Sequence, residues 1–234
     1  MGKMKIDIWA DIACPYCYVG KKKLEAALQA FPHADQIELV WHSYELNPDL
    51  KNEPLNSTYL DYYKDKQEEL NELQKLAQAT GIRFNFENLV ITSTSDALRT
   101  IKLARKYHLE GNTFEAFFFA YFTEGKCISD REVIKEIALN VGLPVEELMT
   151  MLDGNEFLTE LTEDIRYSED QLNLEYIPFY LFNNKTIIQG SISGDVYLET
   201  LKKTFDDWKS NGVSTQTDHS VKGIGCSIDG KGCR

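Results

Sequence analysis

Hydrophobic and polar positions divide the chain into three stretches of different period. In Lys5-Ile6-Asp7-Ile8-Trp9, Ile6 and Ile8 fall on one face and Lys5, Asp7 and Trp9 on the other, the period of a strand. After a four-residue turn, Leu24, Ala27, Leu28 and Phe31 recur at helical steps within residues 18–31. Phe31-Pro32-His33-Ala34-Asp35 interrupts the helix, and Ile37 to His42 alternates again, Ile37, Leu39 and Trp41 against Glu38, Val40 and His42. Strand, helix and strand in so short a span predict a parallel βαβ unit with a right-handed crossover.

From Asn47 to Asn56 the pattern is that of a loop; from there to about residue 172 it is helical nearly throughout. Tyr59 to Thr80 carries a stripe that stops at Gly81, and Leu98, Ile101 and Ala104 mark a second helix ending near Gly111. Asn112-Thr113-Phe114-Glu115 has the form of a capping box, opening a helix with Phe114, Phe117, Phe118, Tyr121 and Phe122 on one side. At that spacing the aromatic stripe predicts a buried helix–helix contact, with the Tyr121 or Phe122 edge available to line a groove. Ser129-Asp130-Arg131-Glu132 is a second capping box, Leu143-Pro144 starts a further helix, and Phe157, Leu158, Leu161, Ile165 and Leu172 mark the last.

The final third returns to strands. Phe179 to Phe182 and Thr186 to Gln189 flank Asn183-Asn184, a pair that tolerates positive φ, and so predict a hairpin. Gly190 ends it, and Ser193 caps a helix built on Val196, Leu198, Leu201, Phe205 and Trp208. A βαβ unit followed by ββα is a thioredoxin fold: α/β, with a four-stranded mixed sheet and a large inserted all-helical domain. Residues 1–55 and 173–210 make the discontinuous thioredoxin-like domain, 56–172 the helical insert, and 211–234, rich in Gly, Ser and Thr, a flexible tail.

The candidate chemistry lies where the first strand gives way to the first helix, at Cys14-Pro15-Tyr16-Cys17. A helix N-terminus offers unpaired N–H groups and the positive end of the macrodipole, so a thiolate there is stabilised. Pro15 suits the first helical position because its missing N–H costs nothing there. Cys14 is then the nucleophile, and Cys17, one turn along and more buried, the resolving thiol. The competing reading is half of a zinc site. It is the weaker one, because Cys226 and Cys233 do not form a second close pair and His33, His42, His108 and His219 contain no ligand-spaced pair. His42, closing a strand, and Cys127, ahead of a helix, read as structural.

With Cys14-Pro15-Tyr16-Cys17 after a strand, a helical insert, and Ile177-Pro178 at the mouth of a hairpin, the chain resembles the DsbA-like branch of the thioredoxin superfamily. Ala120 to Gly125, Ile128 to Asp130 and the closing Cys226 to Cys233 look like features of its cytoplasmic FrnE-type members. The resemblance implies that Pro178 is cis and packs against Cys14, and that Ile177 offers its backbone, and Tyr16 its side chain, to an extended substrate. Periplasmic DsbA proteins have His where this chain has Tyr16, which brings no positive charge and implies a less oxidising couple. Related isomerase and glutathione-transferase branches use Ser in place of the nucleophilic Cys.

Among 234 residues, 43% are hydrophobic and 26% charged, as in a soluble protein with a substantial core. The net charge of −12 argues against nucleic acid and anionic membranes as partners. Met1 to Ile6 leads into the first strand without an apolar run, so a cytoplasmic location is expected. The function expected is a thiol–disulfide oxidoreductase acting on protein or peptide disulfides, with glutathione or another thiol as reductant and no cofactor or metal. The alternatives are a small-molecule isomerase or glutathione-dependent transferase, and a non-catalytic module holding peptide or metal. Cys226 and Cys233 enclose a short flexible loop that could close a disulfide, either as a second redox pair exchanging with Cys14 or as a staple.

Overall fold

In a computed structural model of the chain, which describes residues 2–55, 64, 66–215 and 219–229, strand β1 (Met4–Ala10) lies at the centre of the expected unit. Helix α1 (Pro15–Gln29) carries the chain over to β2 (Ile37–Ser43), which pairs parallel with β1 from Met4↔Ile37 to Ala10↔Ser43. On its other edge β1 receives β4 (Phe179–Phe182), antiparallel, with Ile6 opposite Phe182. All four residues of β4 are buried, so this strand is covered on both faces. Asn183 and Asn184 turn it into β5 (Thr186–Gln189) at φ of 49° and 52°, the left-handed pair that a tight hairpin requires. Helix α8 (Gly194–Asn211) begins at Ser193, whose side chain accepts from Val196 N, and packs beside α1.

Between β2 and the short strand β3 (Tyr176–Ile177) run α2 (Gln67–Ala79), α3 (Ser95–Arg105), α4 (Glu110–Phe118), α5 (Arg131–Val141), α6 (Val145–Asp153) and α7 (Leu158–Leu172). The front of the first expected helix, from Tyr59, lies outside the described residues. Helices α4 and α7 pack against β2. Phe114, Phe117, Phe118, Tyr121 and Phe122 are all buried, so the stripe is core and does not line an open groove. Beyond Phe118 the helix continues as one π-helical turn, Phe119–Thr123. Phe118 stacks on Tyr18 of α1 with ring centroids 4.9 Å apart, tying this helix to the cysteine helix.

Both capping boxes are corrected by the structure. Helix α4 starts two residues before Asn112, with no side-chain cap at Leu109. At α5 the cap is Asp130, accepting from Glu132 N, because the Ser129 hydroxyl is engaged with Thr92 instead. Buried Arg99 of α3 has no counterpart in the sequence reading: it donates to the carbonyls of Met151, Gly154 and Glu156 and so ties down the end of α6.

The described part of the tail is also ordered differently from expectation. Strand β6 (His219–Lys222) pairs parallel with β5, giving the sheet order β2-β1-β4-β5-β6. Strand β7 (Cys226–Ser227) pairs antiparallel with β3. Glycines make this docking possible. A Cβ on Gly223 would stand 2.4 Å from Ser191 O, and one on Gly225 2.5 Å from Ile177 O. A stretch without apolar bulk reads as solvent-borne, but here the backbone itself makes the contact. Ser191 and Ile224 exchange hydrogen bonds of 2.6 and 3.0 Å.

Candidate active site

Cys14 is the N-cap of α1, in extended conformation at φ −89° and ψ 110°. Pro15 follows in the first turn, and the sulfur of Cys14 accepts the backbone N–H of Cys17 at 3.3 Å. Sγ thus sits at the helix terminus within reach of a backbone N–H donor. As a thiol, the same sulfur donates to Ile177 O at 3.7 Å. The Ile177–Pro178 peptide is cis, Pro178 is buried, and its carbonyl accepts from Gly190 N at 2.7 Å. Cys14, Ile177 and Pro178 are thus brought together, although 163 positions separate Cys14 from Ile177.

The two sulfurs are chemically unequal. Both cysteines are free and buried. Burial pushes the Cys17 thiol well up, and the hydrogen bond and charge of Cys14 push it further. Cys17 therefore holds its proton when negative charge sits on Cys14. Tyr16, between them, is also buried.

The structure adds a carboxyl pair that the sequence reading missed. Asp11 begins the β1–α1 turn, its carbonyl accepting from Cys14 N at 3.1 Å. Its carboxylate accepts from Leu46 N at 2.8 Å and from Ala13 N at 3.3 Å. Burial nevertheless raises its pKa to about 6 against those donors. Burial, followed by the charge of Asp11, raises Glu45 to about 7. The one available signal was an acid inside the otherwise apolar run Trp9-Ala10-Asp11-Ile12-Ala13-Cys14.

His42 belongs to a different cluster. Its ring bridges Asp7 (Nε2, 2.9 Å) and Asp164 (Nδ1, 2.9 Å), and it stacks on Trp9 at 4.3 Å. Asp164 also accepts from Ser43 N at 2.7 Å and pairs with Lys102. Burial works against the imidazolium, but the hydrogen bonds and charges of Asp164 and Asp7 outweigh it and raise the His42 pKa. Cys127 is half-buried, 3.4 Å from the Ser129 hydroxyl. Cys226 is buried, disulfide-bonded and in register with Ile177; Cys233 lies outside the described residues. Among the described residues no three His, Cys, Asp or Glu side chains gather as a metal site, and no helix is long and apolar enough to cross a membrane.

Residues 5–206 match the model of the DSBA-like thioredoxin domain. The chain belongs to this family. DSBA-like proteins act on thiols or disulfides as oxidoreductases or isomerases. A probable DsbA oxidoreductase from Streptomyces coelicolor is 28% identical and superposes with a TM-score of 0.79, covering 99% of this chain and 98% of that one. The uncharacterized protein YwbO of Bacillus subtilis is 24% identical over 195 residues, 82% of this chain and 92% of its own. The cytosolic disulfide reductase DsbM from Pseudomonas aeruginosa, solved with GSH, shares the DSBA-like fold at 17% identity with a TM-score of 0.60, covering 88% of this chain and 98% of that one.

Proposed function

We propose that this DSBA-like protein is a thiol–disulfide oxidoreductase acting on protein or peptide disulfides through Cys14 and Cys17. The observation that carries the reading is the hydrogen bond from Cys17 N–H to the Cys14 sulfur at the start of α1, beside the Ile177 carbonyl. Cys14 thiolate attacks a substrate disulfide, forming a mixed disulfide and releasing one substrate thiolate, which takes a proton from solvent. Cys17, deprotonated in turn, attacks Cys14, forms the Cys14–Cys17 disulfide and releases the second substrate thiol. A thiol reductant such as glutathione resets the pair by the reverse chemistry. Ile177 and Pro178 line the substrate side of Cys14, and Tyr16 shapes the turn between the cysteines.

Reduction of a disulfide-bonded polypeptide such as insulin, with glutathione as the electron source, tests the proposal. Turnover is expected for the intact chain and none above background for Cys14→Ser. Turnover that survives Cys14→Ser would point instead to isomerase or transferase chemistry on this fold.

A further inference from the structure

Among the described residues only three buried side-chain polar atoms have no hydrogen-bond partner: Arg105 Nε, Tyr180 Oη and Tyr197 Oη. The two hydroxyls lie together, against the cysteine helix. Tyr180 belongs to β4, just past Pro178, and Tyr197 to the start of α8; both residues are fully buried. A Cβ on Gly20 would lie 2.5 Å from Tyr180 Oη, 3.5 Å from Tyr197 Oη and 3.0 Å from Pro178 Cγ. Gly20 stands one helical turn beyond Cys17, so the hydroxyls gather on the side of α1 that carries the resolving thiol. Charge on Cys17 acts on both of them, and charge on Cys14 on Tyr180.

A buried hydroxyl without a partner costs stability, and phenylalanine would fill either place with the same ring. Packing alone therefore gives no reason for two such groups here. Burial above all, then Tyr197 and the charges of Cys17 and Cys14, hold the Tyr180 hydroxyl well above the usual phenol range. Burial raises Tyr197 as well. Both hydroxyls keep their protons and can donate a hydrogen bond without giving one up. Cys17 is the neighbour that needs a donor. In the free dithiol, burial first and Cys14 second disfavour its thiolate. Once Cys14 is held in a mixed disulfide its charge is gone, and burial is the main cost left.

We propose that Tyr180, backed by Tyr197, donates its hydroxyl hydrogen to the sulfur of Cys17 as that sulfur becomes charged in the resolving step. The proposal rests on the roles given above to Cys14 and Cys17. Cys17 loses its proton to solvent, and its thiolate forms a bond to Cys14 Sγ as the bond from Cys14 to the substrate sulfur breaks. The substrate thiolate leaves and takes a proton from solvent. Tyr180 keeps its O–H bond throughout, and its oxygen accepts from Tyr197, so that each hydroxyl polarises the next. Cys17 waits as a thiol in the resting pair and gains its donor when it must attack.

The test separates the two steps with DTNB, an aromatic disulfide that releases a coloured thiolate, on the full-length chain carrying Cys127→Ser. Attack by Cys14 releases one coloured thiolate at a rate proportional to reagent, and resolution by Cys17 releases a second at a rate independent of it. Tyr180→Phe should slow the second phase about three-fold near neutral pH. A thiol less acidic by one unit has about ten-fold less thiolate, partly offset by its greater intrinsic nucleophilicity. The pH midpoint of that phase should rise by about one unit, and Tyr197→Phe should shift it the same way by less. The melting temperature should hold or rise, because an unpartnered hydroxyl has left the core. An unchanged second phase in folded Tyr180→Phe overturns the proposal. So does a slowing that is equal at every pH and comes with a lower melting temperature, the mark of a packing role. Should Tyr180→Phe not fold, Tyr197→Phe is judged by the same criteria. No second phase in the parent would overturn this proposal and the role of Cys17 together. Two phases without insulin turnover, and with the shift in Tyr180→Phe, would sink the proposed action on polypeptide disulfides and leave the Tyr180 assignment standing.

Discussion

Gly20 and Pro178 meet where α1 crosses the entrance to β4: a Cβ on Gly20 would stand 3.0 Å from Pro178 Cγ and 2.5 Å from Tyr180 Oη. Alanine in mid-helix normally gains about 0.5–1 kcal/mol over glycine. Here overpacking costs about 1–3 kcal/mol and wins. Gly20→Ala should therefore lower the melting temperature by several degrees, at about 2–4 °C per kcal/mol for a chain of this size. Because the displaced groups flank the cysteine helix, insulin turnover should fall as well. An unchanged melt and unchanged turnover would show that the contact relaxes freely.

The inequality of the two thiols predicts an order of labelling. With Cys17 pushed up by burial and by its neighbour, brief alkylation by iodoacetamide near neutral pH should modify Cys14 before Cys17. In Cys17→Ser the mixed disulfide with a substrate peptide should accumulate, whereas Cys14→Ser should form none. Equal labelling of the two cysteines would contradict this division of roles.

The buried carboxyl near the site makes stability depend on pH in a stated direction. Asp11 titrates at about 6 in the folded chain against an ordinary 3.8, so the native state binds more protons in that window. Stability must fall as pH rises through it, by roughly 1.4 kcal/mol per unit and up to about 3 kcal/mol in all. Glu45 extends the same trend towards pH 7. Urea midpoints should therefore be higher at pH 5 than at pH 7.5, and Asp11→Asn should flatten the difference. A midpoint that rises with pH across this range would refute the assignment.

Glu115 of α4 predicts the opposite limb. It binds Lys21 at 2.8 Å, Lys22 at 2.5 Å and the Tyr18 hydroxyl at 3.0 Å. Burial raises its pKa, but Lys21 and Lys22 override this and hold it below the usual range. Its contribution is present above the ordinary carboxylate pKa and is lost as pH falls through the lowered one. Glu115→Gln should cost about 1–3 kcal/mol at neutral pH and less in strong acid, since nearly buried Lys21 keeps only Glu25. Equal losses at both pH values would argue against an ionic role.

Where the chain packs through side-chain periodicity, the sequence was readable. Ile6 and Ile8, the step from Leu24 to Phe31, and the Asn183-Asn184 turn each encode a local preference that tertiary structure keeps. Cys14 and Cys17 were legible for the same reason: their spacing and the neighbouring proline are local. What escaped was set by contacts distant in sequence. Asp11 gains its role from Leu46, Arg99 from the carbonyls at and just beyond the end of α6, and Ser129 loses its expected cap to Thr92. The docking of residues 219–229 depends on glycines that let backbones touch, and a glycine-rich stretch carries no periodic signal to announce it.

The stack of Trp9 on His42, nearly parallel at 12° between planes, gives the molecule an optical handle. An imidazolium in contact with an indole quenches its emission, whereas a neutral imidazole does so far less. Trp9 fluorescence should therefore dim as His42 takes up its proton, reporting from inside the Asp7–His42–Asp164 cluster. Trp41 and Trp208 supply a background that Trp9→Phe would isolate. The charge state of a group shared by β1, β2 and α7 thus becomes visible without any added dye.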